Sequence, residues 1–286
     1  MNWFIALIPA LGWGIMPIIA QMTKGNPREQ LTGTTITALF FALLLYLYSP
    51  APLEFLPFII SFVSGILWSL GQLLQFQSFQ VTSVAKAIPI ICGLQLTGTT
   101  LFAAIVFNEW EGISDLVVGT FALITILIGI FLLSFQEKQR NSSRGFSLHL
   151  FMVLLFSALA LSSYVIINQL FGVSGFEVVL PQAFGMFFSS LVINSFSKNK
   201  LCKQKVMLNL LTGLSWSIAN LSLFIANGTL GIAKSFPLSQ ASIIIATLGG
   251  IVIFKEKKKH REWLAISVGI LSVMAGVCMI SFIKNI

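Results

Sequence analysis

Two short patterns carry the side chains best suited to hold a small polar molecule. Trp68-x-x-x-Gln72, followed by Gln75, lies in the first half of the chain, and Trp216-x-x-x-Asn220 lies in the second. At helical pitch the i, i+3 and i+4 spacing puts each set on one face. Gln95 and Gln240 follow in their respective halves, and Trp13, Tyr164 and Gln182 add two rings and an amide. None of these groups is charged at neutral pH. Aromatic faces with uncharged amides suit a neutral, polyhydroxylated ligand, whose C–H faces stack on rings while its hydroxyls pair with amides. An amide in an apolar span also fastens helix to helix, so each residue has a packing role to be weighed beside the ligand role.

The chemistry that is missing narrows the field. All nine acidic residues fall in loops or near the ends of apolar stretches, whereas a cation pump or pore calls for a carboxylate near the bilayer midplane. The two histidines, His149 and His260, adjoin polar loops, so neither a metal site nor a Ser/His/Asp constellation can be assembled. No enzyme, metal or cofactor is expected. Three scattered cysteines, Cys92, Cys202 and Cys278, give no disulfide framework.

The elements that must position these groups are set by composition. Of 286 residues, 56% are hydrophobic and 9% charged, and the mean hydropathy is +0.93; a soluble domain could not hide so much apolar surface. With roughly 20 residues needed to cross a bilayer, the chain divides into ten spans: 2–21, 32–49, 56–77, 84–107, 113–134, 147–170, 177–196, 207–227, 231–254 and 262–283. The expected class is an all-α integral membrane protein embedded in lipid. Loops after odd-numbered spans hold 14 Lys and Arg, while the opposite side holds only Lys284. By the positive-inside rule both termini face outward. The +8 net charge is accounted for by topology, and no nucleic-acid partner is expected.

The two patterns are copies. Gly65-x-x-Trp68 through Lys86 and Pro89 matches Gly213-x-x-Trp216 through Lys234 and Pro237 at a constant spacing of 148 residues (213 − 65 and 237 − 89), the mark of an internal duplication. The halves are 1–135 and 147–286, joined by a cytoplasmic linker at 136–146. Five spans per half is odd, so the second copy lies inverted, a 5+5 repeat of the kind found in transporters. Pro89 and Pro237 cannot donate to the carbonyls of Ala85 and Ala233. They predict either tolerated kinks or broken helices whose backbone meets a ligand. Glu29 and Glu177 open spans two and seven as caps or as proton-titrating acids. Lys86 and Lys234 open spans four and nine.

The chain resembles the bacterial glucose/ribose uptake proteins of the drug/metabolite transporter superfamily over essentially its whole length. The likeness rests on Pro9-Ala-Leu-Gly-Trp13-Gly14, Gln30-x-Thr-Gly-Thr-Thr35, Gly65-x-x-Trp68-x-x-Gly-Gln72, Gly93-Leu-Gln95-Leu-x-Gly-Thr-Thr100, Leu180-Pro-Gln182-Ala-x-Gly-Met186 and Leu238-Ser-Gln240 with Ala246-Thr-Leu-Gly-Gly250. It implies a cavity lined mainly by spans 1, 3, 4, 6, 8 and 9, and proton-linked uptake of a monosaccharide, glucose ahead of ribose. Two departures from the family pattern stand out. Leu161 stands where related proteins carry an aromatic one turn before Tyr164, and Ile91 and Cys92 replace a hydroxyl pair after Pro89. The rivals are an exporter of drugs or amphipathic metabolites, and a polytopic membrane protein that transports nothing.

Overall fold

A computed structural model describes residues 2–108, 110, 112–135, 148–173 and 175–281; the linker 136–146 and Lys284 lie outside them. Twelve helices follow one another: α1 (Asn2–Met22), α2 (Pro27–Tyr48), α3 (Phe55–Val81), α4 (Val84–Val106), α5 (Ile113–Leu133), α6 (Leu148–Leu170), α7 (Phe176–Ser195), α8 (Lys203–Leu208), α9 (Leu210–Leu230), α10 (Ile232–Ser239), α11 (Ser242–Ile253) and α12 (His260–Ser281). There is no strand among the described residues. Paired end to end, α8 with α9 and α10 with α11 make single spans, Lys203–Leu230 and Ile232–Ile253, so among the described residues ten stretches are long and apolar enough to cross a membrane.

Local chemistry explains where several of these helices start and stop. Span two begins at Pro27, five residues ahead of the expected start at 32. Proline at the first helical position loses nothing by lacking an N–H. Asn26 and Glu29 close a capping box, with Asn26 Oδ1 accepting from the backbone N–H of Arg28 and Glu29 at 3.0 Å and Glu29 Oε2 accepting from Asn26 N at 2.8 Å. Gly231, at φ +76°, makes the corner between α9 and α10, a left-handed conformation that glycine alone adopts cheaply.

The prolines behave differently from one another. Helix α4 runs unbroken through Pro89, so the expected break does not occur there. In span nine the helix does break, not at Pro237 itself but beyond it, at Gln240 and Ala241. There the bonds tighten to i→i+3, with Gln240 N donating to Pro237 O (3.1 Å), Ala241 N to Leu238 O (3.3 Å) and Ile243 N to Gln240 O (3.0 Å). Span eight has a second interruption at Asn209, which is fully buried and donates from Nδ2 to Thr23 Oγ1 at 2.9 Å.

Packing follows the duplication. Helix α3 lies against α6 and α7, and α9 lies against α1 and α2; α4 meets α6 as α11 meets α1. A methyl group built on Gly65 would stand 2.1 Å from the Gln182 carbonyl oxygen, and one on Gly213 would stand 2.4 Å from that of Thr34. Both partner pairs are 148 apart (213 − 65, 182 − 34). Ser64 bonds Gln182 at 2.8 Å, and the equivalent Thr212 bonds Thr34 at 2.6 Å. Such close approaches need glycine, because backbone meets backbone where a Cβ would intrude. This pattern is compatible with the expected inverted repeat.

Candidate functional site

Where the two halves meet, Trp68 and Trp216 face each other with ring centroids 4.6 Å apart and planes inclined by 52°. They hold equivalent places in the duplication (216 − 68 = 148). Beside them opens a cavity of about 60 Å3. Its walls come from α1 (Trp13, Met16, Pro17), α3 (Trp68, Gln72, Gln75), α4 (Ile88, Ile91, Cys92, Gln95), α6 (Leu161, Tyr164), α9 (Trp216) and the α10–α11 break (Gln240, Ser242). These are spans one, three, four, six, eight and nine. No acidic, basic or histidine side chain is among them.

Seven of the nine residues expected to touch a ligand lie in this wall: Trp13, Trp68, Gln72, Gln95, Tyr164, Trp216 and Gln240. Their polar atoms are largely uncommitted. The indole N–H groups of Trp13 and Trp216 and the Gln240 Oε1 are buried without a partner. The Gln72 and Gln75 amides make no hydrogen bond among the described residues. Gln95 is half committed, since its Nε2 donates to the Leu161 carbonyl at 2.8 Å, which leaves Oε1 as its free acceptor. Buried polar groups are ordinarily paired, and leaving one unpaired costs about 1–3 kcal/mol. Among the described residues, the unpartnered buried atoms of Trp13, Trp216 and Gln240 belong to this one wall.

Gln182 and Asn220 are placed elsewhere. Asn220 Nδ2 donates to Gln182 Oε1 at 2.6 Å, Gln182 Nε2 to Ser64 Oγ at 2.8 Å, and Ser64 Oγ to the Tyr164 carbonyl at 2.7 Å. Asn168 joins by donating to Ser64 Oγ at 2.9 Å and accepting from Ser61 Oγ at 3.0 Å. This network ties α3, α6, α7 and α9 together behind the cavity and fixes the backbone that carries Tyr164. Pro89 and Pro237 are buried but outside the wall, whereas Pro17 is in it.

The charged candidates also lie outside the wall. Glu29 is buried, and both of its oxygens are occupied, Oε2 by Asn26 N and Oε1 by Cys202 N at 2.8 Å. Glu177 is half-buried in the first turn of α7. Lys234 is buried and Lys86 half-buried at the starts of α10 and α4. Two polar wall residues, Gln75 and Ser242, stand outside those nine. Gln75 shares the Trp68–Gln72 face, so helical spacing marks it. Ser242 comes to the cavity only because the helix breaks just before it.

The family model described as "Sugar transport protein" matches residues 4–283. A Listeria monocytogenes protein named "Putative sugar uptake protein lmo0424" is 49% identical over 282 residues, covering 99% of each chain. The "Glucose uptake protein GlcU" of Bacillus subtilis is 39% identical over 292 residues, covering 100% of this chain and 99% of its own. A solved structure titled "Crystal structure of protein" superposes with a TM-score of 0.72 over 97% of this chain and 95% of that one. At 16% identity, that likeness concerns the fold alone. With a family model spanning nearly the whole chain and full-length relatives at this identity, the protein belongs to the sugar transport protein family, a family of multi-pass membrane carriers and not of enzymes.

Proposed function

We propose that the protein imports a neutral monosaccharide across the cell membrane, with glucose the favoured substrate and ribose the next. The observation that carries this reading is the cavity wall: aromatic rings from both halves, with open indole N–H groups and amides and no charged side chain. Sugar hydroxyls both donate and accept, so they can satisfy the Trp13 and Trp216 donors and the Gln240 and Gln95 acceptors together. The names of the relatives, sugar and glucose uptake proteins, agree with it. An exporter of cationic drugs is disfavoured, because no carboxylate stands in the wall to balance such a charge.

The cavity supports alternating access. At about 60 Å3 it offers room for about four to six waters at 10–15 Å3 each, less than a sugar needs. The halves 1–135 and 147–286 must therefore move apart on one side and then on the other, and an inverted repeat provides that motion by exchanging the conformations of its halves. Proton symport is the family's expected coupling, with Glu177 as the acid, since Glu29 is engaged as a cap on both oxygens. A facilitator is the second reading, favoured by the absence of any carboxylate or histidine in the wall.

The test is uptake by purified protein in liposomes, across a panel of labelled monosaccharides with and without an imposed pH gradient. Saturable uptake of glucose that amphipathic drugs do not inhibit is the expected result. Absence of transport for every sugar in the panel refutes the proposal.

A further inference from the structure

A second opening lies on the flank of the molecule. Between α4 and α6, floored by Leu67 of α3 and Ala158 of α6, runs a crevice of about 460 Å3. We propose that it is a binding site for one acyl chain of a phospholipid, inserted between α4 and α6.

The lining has no use for a polar guest. Leu94 and Phe102 on one side and Leu155 and Leu170 on the other are hydrocarbon. Its two hydroxyls are turned to the protein, with Ser163 Oγ donating to the Leu159 carbonyl at 2.9 Å and Ser162 Oγ to the Gln95 carbonyl at 3.4 Å. Apolar cavities stay dry, and an empty one forfeits the dispersion contacts of its lining. Both walls are membrane spans, so the medium at the mouth of the crevice is lipid. The length fits as well. From Leu155 to Leu170 is 15 residues, about 22 Å at helical rise, enough for a chain that reaches through one leaflet of a hydrocarbon core about 30 Å thick. As the fourth and sixth spans, α4 and α6 run parallel and end on the same face.

The other half of the protein shows that the gap is not demanded by the fold. The equivalent seam joins α11 to α1: Ala246 there corresponds to Gly98 (246 − 98 = 148), and Gly14 to Ser162 (162 − 14 = 148). That seam is filled from within. A methyl on Gly14 would stand 2.6 Å from Ile245 Cβ, and one on Gly249 would stand 2.2 Å from Ile18 Cδ1. A methyl on Gly98 would meet only Ser162, at 3.4 Å from Oγ and 3.9 Å from Cβ. The α1–α11 seam closes tightly at its glycines, whereas at Gly98 the α4–α6 seam stands open, and the lipid chain fills it.

The experiment uses the full chain in vesicles of phosphatidylcholine carrying a photoactivatable diazirine midway along one acyl chain, with adducts mapped by peptide mass spectrometry. Adducts are expected on Leu67 and Ala158, the floor that lipid around the perimeter does not reach, as well as on exposed Phe121 and Phe131 of α5. Gly98→Leu, which fills the crevice, is expected to lower the floor adducts by about fivefold or more, as close packing of the new side chain displaces the guest. Adducts on α5 stay constant. Leu159→Ala, which widens the mouth, is expected to raise the floor adducts, and it carries the test alone if Gly98→Leu does not fold. No adducts on the floor, or floor adducts indifferent to the variants, would each overturn the proposal.

Discussion

Gln240 offers a test in which stability and binding move in opposite directions. Its Oε1 is buried at the α10–α11 break without a hydrogen-bond donor, while the residue forms part of the cavity wall. Gln240→Met keeps the length of the side chain and removes the amide. In the empty carrier this deletes an unsatisfied acceptor whose desolvation costs about 1–3 kcal/mol, so the folded state gains. At about 2–4 °C per kcal/mol for a large chain, the melting temperature in detergent should rise by about 2 °C or more. In the loaded carrier the same change deletes a sugar partner, and the loss of about 1–3 kcal/mol weakens affinity by about one to two decades. The assays are thermal unfolding without sugar and equilibrium glucose binding followed by tryptophan fluorescence, since three tryptophans line the cavity. A residue that merely fastens helices gives the reverse signature, lower stability with intact binding. If Gln240→Met melts lower and binds glucose as the wild type does, the assignment of Gln240 to the substrate is refuted.

Asn220→Leu supplies the contrast: it breaks the 2.6 Å bond to Gln182, so it should destabilise by about 1–3 kcal/mol while glucose affinity at the intact cavity stays within twofold, checked by the same pair of assays. Gly213→Ala places a methyl 2.4 Å from the Thr34 carbonyl oxygen; separating α9 from α2 should cost about 1–3 kcal/mol of overpacking, seen as a lower melting temperature, and an unchanged one would mean that the seam is looser than described. Glu177→Gln should abolish sugar accumulation driven by a pH gradient but spare sugar–sugar counterflow, whereas Glu29→Gln should cost about 0.5–2 kcal/mol of capping stability and leave coupling intact; normal accumulation by the Glu177 variant removes it from the coupling path. A reporter active only in the cytoplasm, fused after Ile286, should be silent, and strong signal would reverse the orientation read from the Lys and Arg distribution.

The sequence by itself determined the class, the ten spans and the duplication. Each of these is a property of patterns that need no partner: an apolar run must span because its backbone is satisfied within one helix, and a 148-residue spacing is visible whatever the chain does next. The start of α2 shows the limit: the apolar run began the span at 32, and the capping box of Asn26 and Glu29 moves it to Pro27. What the sequence could not decide is which way each polar group turns. Gln72 and Asn220 hold equivalent places (220 − 72 = 148), yet Gln72 lines the cavity and Asn220 is tied to Gln182. The difference lies in a third residue on another helix. Opposite Asn220 stands Gln182, long enough to reach both Ser64 and the Asn220 amide. At the place equivalent to Gln182 (182 − 34 = 148) stands Thr34, whose short hydroxyl bonds Thr212 and the Gln30 carbonyl and makes no bond to Gln72. Pro89 and Pro237 part company in the same way, with one helix running on and the other turning at Gln240. A missing N–H costs the same in either copy; whether the next turn stays helical depends on what packs around it, and only the assembled spans bring that about.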